Sequence, residues 1–437
     1  MKKILKKLIP KKLLNLRHLF FAWYGSVKYK HPSEELMVIG ITGTSGKSST
    51  VYILRQILED AGLKVGSLST IDFYIAGVDK LNDQKMTMLG RMQIQKYLRE
   101  MVDKKCDVAI VETTSEGRVQ YRHSFINYDM MALTNLYPEH IDSHGSFEAY
   151  KQAKLDLFNY VSKLPRKKGT GNGERGTKKI ISKTAIVNGN SEYKDEFLQF
   201  DFDKKISFGT NISKQEVKND GLHFDIDDKE FHAPLYGEHN ISNIAAALTI
   251  AREFDIAWDV LQKAVSNLEP IPGRVEFIPE AKEKGFQVIV DYAFEPKAMS
   301  SLYEVVDLIK PIGRIIHVFG STGGGRDRDR RFKLGEMIGK RADICIITDE
   351  DPYEDDPQEI IDDVSESVVK QGKEIDKTVF KILDRKEAIG RAIEMAREGD
   401  LILITGKGSE QGMCIAGGKM IPWDDREFAR EFIEKKK

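Results

Sequence analysis

The chain has 437 residues, 41% hydrophobic and 31% charged, with 67 Lys and Arg against 68 Asp and Glu. That length is too great for one ordinary core and implies two or three domains, while the near-neutral balance gives no bias toward nucleic acid. Cys106, Cys345 and Cys414 have neither zinc-site spacing nor the density of a disulfide scaffold, which fits a reducing, cytoplasmic setting, and no run approaches the ~20 apolar residues that span a bilayer.

Residues 1–37 read as a basic amphipathic helical extension. Lys2, Lys3, Lys6, Lys7, Lys11 and Lys12 interleave with Ile4, Leu5, Leu8, Ile9, Leu13 and Leu14 and lead into Leu19, Phe20, Phe21 and Trp23. The pattern suits peripheral contact with a membrane surface. It suits equally a helix whose apolar stripe docks on the protein's own body, and Pro10 kinks or restarts it in either case.

From Met37 the text alternates short apolar runs with amphipathic stretches, the rhythm of an α/β fold with a mostly parallel sheet. Val38–Ile41, Val108–Val111 and Met130–Leu133 read as buried strands, and Ser48–Ala61 as a helix. Pro165–Lys179 reads as an inserted surface loop. A second α/β region begins near Gly273, with strands at Val288–Val290, Ile315–Phe319, Ile344–Ile347 and Leu401–Ile404 and helices at Pro357–Lys370 and Arg385–Ala396. The expected domains are therefore 38–272 and 273–437.

Gly43-Thr44-Ser45-Gly46-Lys47-Ser48 lies between an expected strand and an expected helix. Glycines let the backbone wrap phosphates, the helix N-terminus supplies donors, Lys47 neutralises the β- and γ-phosphates, and Ser48 is placed to reach Mg²⁺. The first glycine of the general pattern is absent, because Ile41 stands there. The bland alternative is a glycine-rich turn with a solvated lysine.

This loop resembles the phosphate-binding signature of the Mur ligase family and of folylpolyglutamate synthases, and the likeness runs in order over about residues 38–430. The resemblance implies a central P-loop ATPase domain followed by a Rossmann-like α/β domain. It also implies an ATP- and Mg²⁺-dependent ligase that activates a carboxylate as an acyl phosphate and couples it to an amine. By the same resemblance Glu112, in Val111-Glu112-Thr113-Thr114-Ser115, is a Mg²⁺ ligand with Thr114 and Ser115 near substrate. Thr134-Asn135-Leu136-Tyr137-Pro138-Glu139-His140-Ile141-Asp142-Ser143-His144-Gly145 supplies His140 as a second ligand, with Glu139 in place of the usual aspartate. Lys154 matches the lysine that becomes a carbamate, an anion able to bind Mg²⁺, whereas Lys151 reads as a solvated helix lysine. Asn240 and Asn243 match adenine contacts, and Arg274 and Arg326 match residues of the nucleotide site.

Asp291-Tyr292-Ala293 tips the resemblance toward the branch that adds the third residue of the peptidoglycan stem peptide, with a UDP-muramoyl-peptide-type acceptor and an amino acid as partners. Phe294 and Ser409 stand where that branch has histidines. Asp351, Tyr353, Gly406 and Glu410 match the amino-acid site, and Tyr353 stands where diaminopimelate-adding members carry arginine. That favours lysine or another diamino acid, with Glu350, Asp351 and Glu410 as anionic partners for its amine. Arg326, Arg328, Arg330 and Arg331 form a cluster suited to carboxylate or phosphate, or to a solvated loop. About 37 residues precede the loop, too few for the domain that holds the uridine diphosphate in this family. The basic helix is then expected to share in acceptor binding, or the acceptor to differ.

Overall fold

The computed structural model of the chain describes residues 11–84, 86–138, 144–168, 181–325 and 328–436. Pro10, most of the expected loop at 165–179, His140 and Arg326 lie outside the described residues.

After helix α1 (Lys11–Lys28), strand β1 (Met37–Thr42) runs through the glycine loop into α2 (Lys47–Asp60). Strands β2 (Val65–Leu68), β3 (Asp72–Ile75) and β4 (Val78–Leu81) follow, then α3 (Arg91–Asp103), β5 (Val108–Glu112) and the short α4 (Ser115–Val119). Next come β6 (Met130–Leu133), α5 (Phe147–Ser162), β7 (Thr184–Asn188) and β8 (Lys204–Phe208). The strands form one sheet in the order β4-β3-β2-β5-β1-β6-β7-β8, parallel apart from the β2-β3-β4 meander. Apolar layers cover both faces, so the central strands are continuous apolar runs rather than alternating ones. The register sets Ile41 beside Glu112 and Thr42 beside Leu133. The carboxyl ends of β5, β1 and β6 therefore adjoin, and in open α/β sheets that edge forms the ligand crevice.

A three-stranded antiparallel sheet, β9 (Ile212–Lys218), β10 (Gly221–Ile226) and β11 (Lys229–Ala233), precedes α6 (His239–Arg252). Its Leu222, Phe224 and Phe231 join the apolar residues of α2 and α6 in one core.

The second α/β region contains β12 (Glu276–Phe277), β13 (Gln287–Asp291), α7 (Pro296–Ile309), β14 (Ile315–Phe319), α8 (Asp329–Arg341), β15 (Ile344–Ile347) and α9 (Pro357–Val369). It continues with β16 (Val379–Lys381), α10 (Arg385–Met395), β17 (Leu401–Thr405), the β18 (Gly412–Ile415) and β19 (Lys419–Pro422) ribbon, and α11 (Asp425–Lys435). Its sheet runs β12-β13-β17-β14-β15-β16, with only β12 antiparallel to its neighbour.

A buried ionic cluster ties the first turn after α1 to the central sheet. Asp129, fully buried, accepts from Lys167 Nζ, from Lys183 Nζ at 3.1 Å and from the Val38 amide at 2.9 Å. Lys183 Nζ also donates to Asn127 Oδ1 and the Tyr128 carbonyl. Asn127 in turn donates from its amide to Ser33 Oγ and from Nδ2 to Glu34.

Helix α1 docks by a narrow strip of small residues. Ala22 and Ser26 are buried, and a Cβ on Gly25 would lie 3.2 Å from the Met92 backbone of α3. Its other apolar side chains remain largely exposed, with Leu16 at 64% and Phe20 at 53%. Of the two readings of this helix, docking on the body holds for the small residues, and the large apolar ones stay outside the contact.

Candidate active site

The phosphate loop is held in shape from both sides. Gly46 has φ +74° at the N-cap of α2, and a Cβ there would lie 2.3 Å from Asn243 Oδ1. A Cβ on Gly43 would lie 1.9 Å from Thr134 Oγ1. Only glycine fits either position. Asn135, just past β6, clamps the loop: its Oδ1 accepts from the Thr44 and Ser45 amides at 3.2 and 2.9 Å, and its Nδ2 donates to Ser45 O and Oγ. Tyr150 of α5 donates its hydroxyl to Thr44 Oγ1 at 3.1 Å. Lys47 Nζ donates to the Thr44 carbonyl at 2.9 Å, which places the ammonium over the loop at the head of α2.

Glu112, buried at the end of β5, gathers oxygen and amide donors. Ser48 Oγ donates to its Oε2 at 2.9 Å, as do the Thr70 amide at 2.7 Å and the Thr70 hydroxyl at 2.9 Å. Lys154 of α5, only 1% exposed, donates to the Gly43 carbonyl at 2.7 Å and sits 4.6 Å from the Tyr150 ring centre. Glu112, Ser48, Lys47 and Lys154 thus all contact the same loop or its flanks. Lys151 pairs with Glu196 at 3.0 Å on the outer face of α5. Thr114 caps α4 through the Gly117 amide, and Ser115 Oγ lies 3.1 Å from His144 Nε2. Burial lowers the pKa of His144, with a smaller contribution from the Lys154 charge.

Asn240 and Asn243 are buried at the start of α6. Asn243 Nδ2 donates to Asn240 Oδ1 at 2.9 Å, and Asn240 Nδ2 donates to the Tyr236 carbonyl at 2.8 Å. Arg274 stacks 4.2 Å from the Tyr292 ring centre and donates to the Gly273 carbonyl. Burial first, and then Arg274, lowers the His239 pKa. Of the arginine cluster, Arg328 pairs with Asp363 and Glu359, and Arg331 with Asp363 and Asp355, all carried on or before α9. These two stabilise helix packing. Arg330 instead donates to Thr322 Oγ1 at 3.1 Å and lies 5.4 Å from the Phe294 ring centre.

The expected amino-acid pocket differs from its sequence reading. Lys407, fully buried after β17, donates to both Asp351 oxygens at 3.1 Å, to Glu410 Oε2 at 2.7 Å and to the Gly412 carbonyl. Tyr292 donates its hydroxyl to Glu410 Oε1 at 3.2 Å. Asp351 and Glu410 are therefore not two spare anions waiting for an amine; they share an internal ammonium and leave one net negative charge. Glu350 is buried, accepts from Thr322 Oγ1 and has its pKa raised by burial, which weakens it as an anionic partner. Gly406, at φ +107°, leaves no room for a side chain, since a Cβ would lie 2.2 Å from Glu350 Oε2. Tyr353, at φ +52°, packs its ring against Gly324. Replacing Lys407 by Met should leave two carboxylates facing each other and destabilise the protein by about 3 kcal/mol, the low end for a broken buried pair because water reaches Glu410. Urea unfolding of the variant measures this.

Several of these contacts were not singled out from sequence. Asn135 and His144 lie within the stretch 134–145 without an expected role, Lys407 lies between Gly406 and Glu410, and Tyr150 lies one turn before Lys154. Thr70 had no signal, because it sits in a turn between two short strands that were not expected.

A glycine loop, a lysine at the head of a helix and a buried carboxylate on the adjoining strand end are the parts of a nucleotide-dependent phosphoryl-transfer enzyme. Sequence comparison narrows the class. The description "Mur ligase middle domain" matches residues 41–251, and "Mur ligase, glutamate ligase domain" matches residues 273–408. The chain is 31% identical to the UDP-N-acetylmuramoyl-L-alanyl-D-glutamate--2,6-diaminopimelate ligase 1 of Clostridium acetobutylicum, covering 98% of this chain and 85% of that one. It is equally 31% identical to the UDP-N-acetylmuramyl-tripeptide synthetase of Roseiflexus sp., covering 97% and 83%. The chain belongs to the Mur ligase family, and it is an ADP-forming amide-bond ligase. A solved UDP-N-acetylmuramoyl-L-alanyl-D-glutamate--2,6-diaminopimelate ligase superposes with a TM-score of 0.58 at 26% identity, over 92% of this chain and 78% of that one. The Mycobacterium tuberculosis folylpolyglutamate synthase complexed with ADP and AMPPCP shares the fold, with a TM-score of 0.66 at 15% identity over 89% and 92%.

Proposed function

We propose that this ligase uses ATP to couple a diamino acid to the terminal carboxylate of a UDP-N-acetylmuramoyl-dipeptide-type acceptor, in building peptidoglycan precursors. The observation that carries this reading is the convergence of Lys47, Ser48, Glu112 and Lys154 on one clamped loop, together with the substrates in the names of the relatives. The acceptor carboxylate attacks the γ-phosphoryl group, so two anions must meet. The Lys47 ammonium and the loop amides offset that repulsion, and the incoming amine then displaces phosphate through a tetrahedral intermediate.

The donor set fits Mg²⁺. Ser48 Oγ and Glu112 Oε2 are hard oxygen ligands already 2.9 Å apart, the type that Mg²⁺ prefers. Lys154, if carbamylated, would turn from a cation into an oxygen donor beside the same loop, its nitrogen still able to donate to the Gly43 carbonyl. Held by these residues, Mg²⁺ would supply charge neutralisation at the β- and γ-phosphates. Phosphate release that requires both the acceptor and an amino acid is the direct test; release with neither would sink the ligase reading.

Lys154→Ala should lower turnover about a hundredfold and recover in part with formate or acetate, small anions that replace the carbamate. Lys154→Arg should stay inactive with or without them, since arginine cannot be carbamylated. Full activity of the alanine variant without added anion would remove Lys154 from the site.

For the amino acid, the one net negative charge of the Lys407, Asp351 and Glu410 cluster favours a terminal ammonium. Tyr353 offers no bidentate cation for a second carboxylate, and burying an unpaired carboxylate is costly. Lysine should therefore outrun diaminopimelate in kcat/KM. Tyr353→Arg should shift the ratio toward diaminopimelate by about one to two orders of magnitude if a charge-assisted pair forms. A parent enzyme that prefers diaminopimelate would refute this reading of position 353.

A further inference from the structure

Charge is distributed unevenly along this near-neutral chain. Nine of its 67 basic residues and none of its 68 acidic ones fall in the first 33 positions, leaving 58 against 68 in the remainder. The structure sets the apolar part of that basic segment on the outside. Leu13, Leu16, Phe20, Trp23, Tyr24 and Val27 are each 42–64% exposed on α1. With Phe125, the first four of these line an open groove of about 590 Å³.

Direction adds a further constraint. Gly25 abuts Met92 near the start of α3, and further along Arg99 donates to the Tyr29 and Lys30 carbonyls, so the two helices run the same way. The first half of α1 therefore projects past the start of α3, toward the side of the sheet where β5 ends in Glu112. No helix among the described residues is long and apolar enough to cross a membrane.

We propose that α1 is an interfacial anchor that lies on an anionic lipid surface, with its exposed aromatic and leucine side chains in the headgroup boundary and its lysines on the lipid phosphates. A basic segment without acids, with Trp, Tyr and Phe on the open face, has the composition that interfacial binding requires. A second copy of this chain is the less fitting occupant, because two such segments would bring their positive charges together.

The test uses the full chain with vesicles of phosphatidylcholine alone or with about one third phosphatidylglycerol, followed by co-sedimentation and tryptophan fluorescence. Binding should appear only with the anionic lipid, shift the emission to the blue as Trp23 enters the boundary, and weaken about tenfold or more as salt is raised. Leu16→Glu/Phe20→Glu/Trp23→Glu should abolish binding while its melting temperature and helical circular dichroism stay unchanged. Lys11→Gln/Lys12→Gln/Arg17→Gln, which keeps every apolar side chain of the helix, should weaken binding on its own. Equal binding to neutral vesicles, or binding that survives both variants, would overturn the proposal. So would a dimer in light scattering that the first variant dissolves, with no vesicle binding by the parent.

Discussion

Lys47→Ala should reduce ligation by about a thousandfold or more while the protein melts at nearly its original temperature. The two halves of that expectation have separate causes. Lys47 donates to the carbonyl of Thr44 within its own loop, and the shape of that loop depends on Asn135, Tyr150 and the two glycines rather than on the ammonium. Removing the side chain deletes the cation at the head of α2 and leaves the mould in place. Single-turnover phosphate release beside thermal unfolding checks both. A variant that turns over normally would overturn the role of this loop, and one that unfolds would show the lysine to be structural.

Asp129→Asn should have the largest effect on stability, about 3–5 kcal/mol, because it strips a fully buried carboxylate from two buried lysines. The asparagine keeps the shape and can still accept from the Val38 amide, so the loss reports charge. The cluster also has a pH signature. Burial holds Lys167 down to about 8 from its ordinary 10.5, with Asp129 opposing that shift. Its folded pKa lies below its unfolded one, so between those values the unfolded chain binds more protons and stability from this group rises with pH. Below about pH 8 the full burial penalty is present. The Asn variant, with Asp129 no longer supporting the charge, should begin that rise at lower pH. Urea denaturation from pH 7 to 10 measures both, and identical slopes for the two proteins would rule out the coupling.

What the sequence reveals depends on how local the signal is. Ile-rich strands such as Ile344–Ile347 and the helix after Gly46 were readable to within a residue, because both faces of a parallel sheet are covered and the apolar run is unbroken. Val78–Leu81 is an exposed edge strand of Val-Asp-Lys-Leu, and Ile212–Lys218 is largely polar, so neither carries the period that marks a strand. The glycine loop stands out in one segment by its place between a strand and a helix, whereas the role of Glu112 is what the family resemblance implies. The reading of Asp351 fails because its partner, Lys407, lies 56 residues away in sequence; Glu410 is only three residues from the same lysine, and nothing in that short segment shows that the two side chains turn toward each other. Motif spacing gives no measure of whether a carboxylate is already paired.

The clamp on the phosphate loop bears on how nucleotide binding should look to a calorimeter. Thr134 lies against Gly43 and Asn243 against Gly46, and Asn135 holds the Thr44 and Ser45 amides between them. The loop has therefore given up its conformational freedom during folding, and ATP has little chain to order when it docks. Nucleotide affinity should then report phosphate contacts directly, with a small heat-capacity change and little change in amide exchange at residues 43–48. An Asn135→Ala loop would have to be ordered on each binding event, so its nucleotide should leave faster while every residue that touches phosphate remains in place.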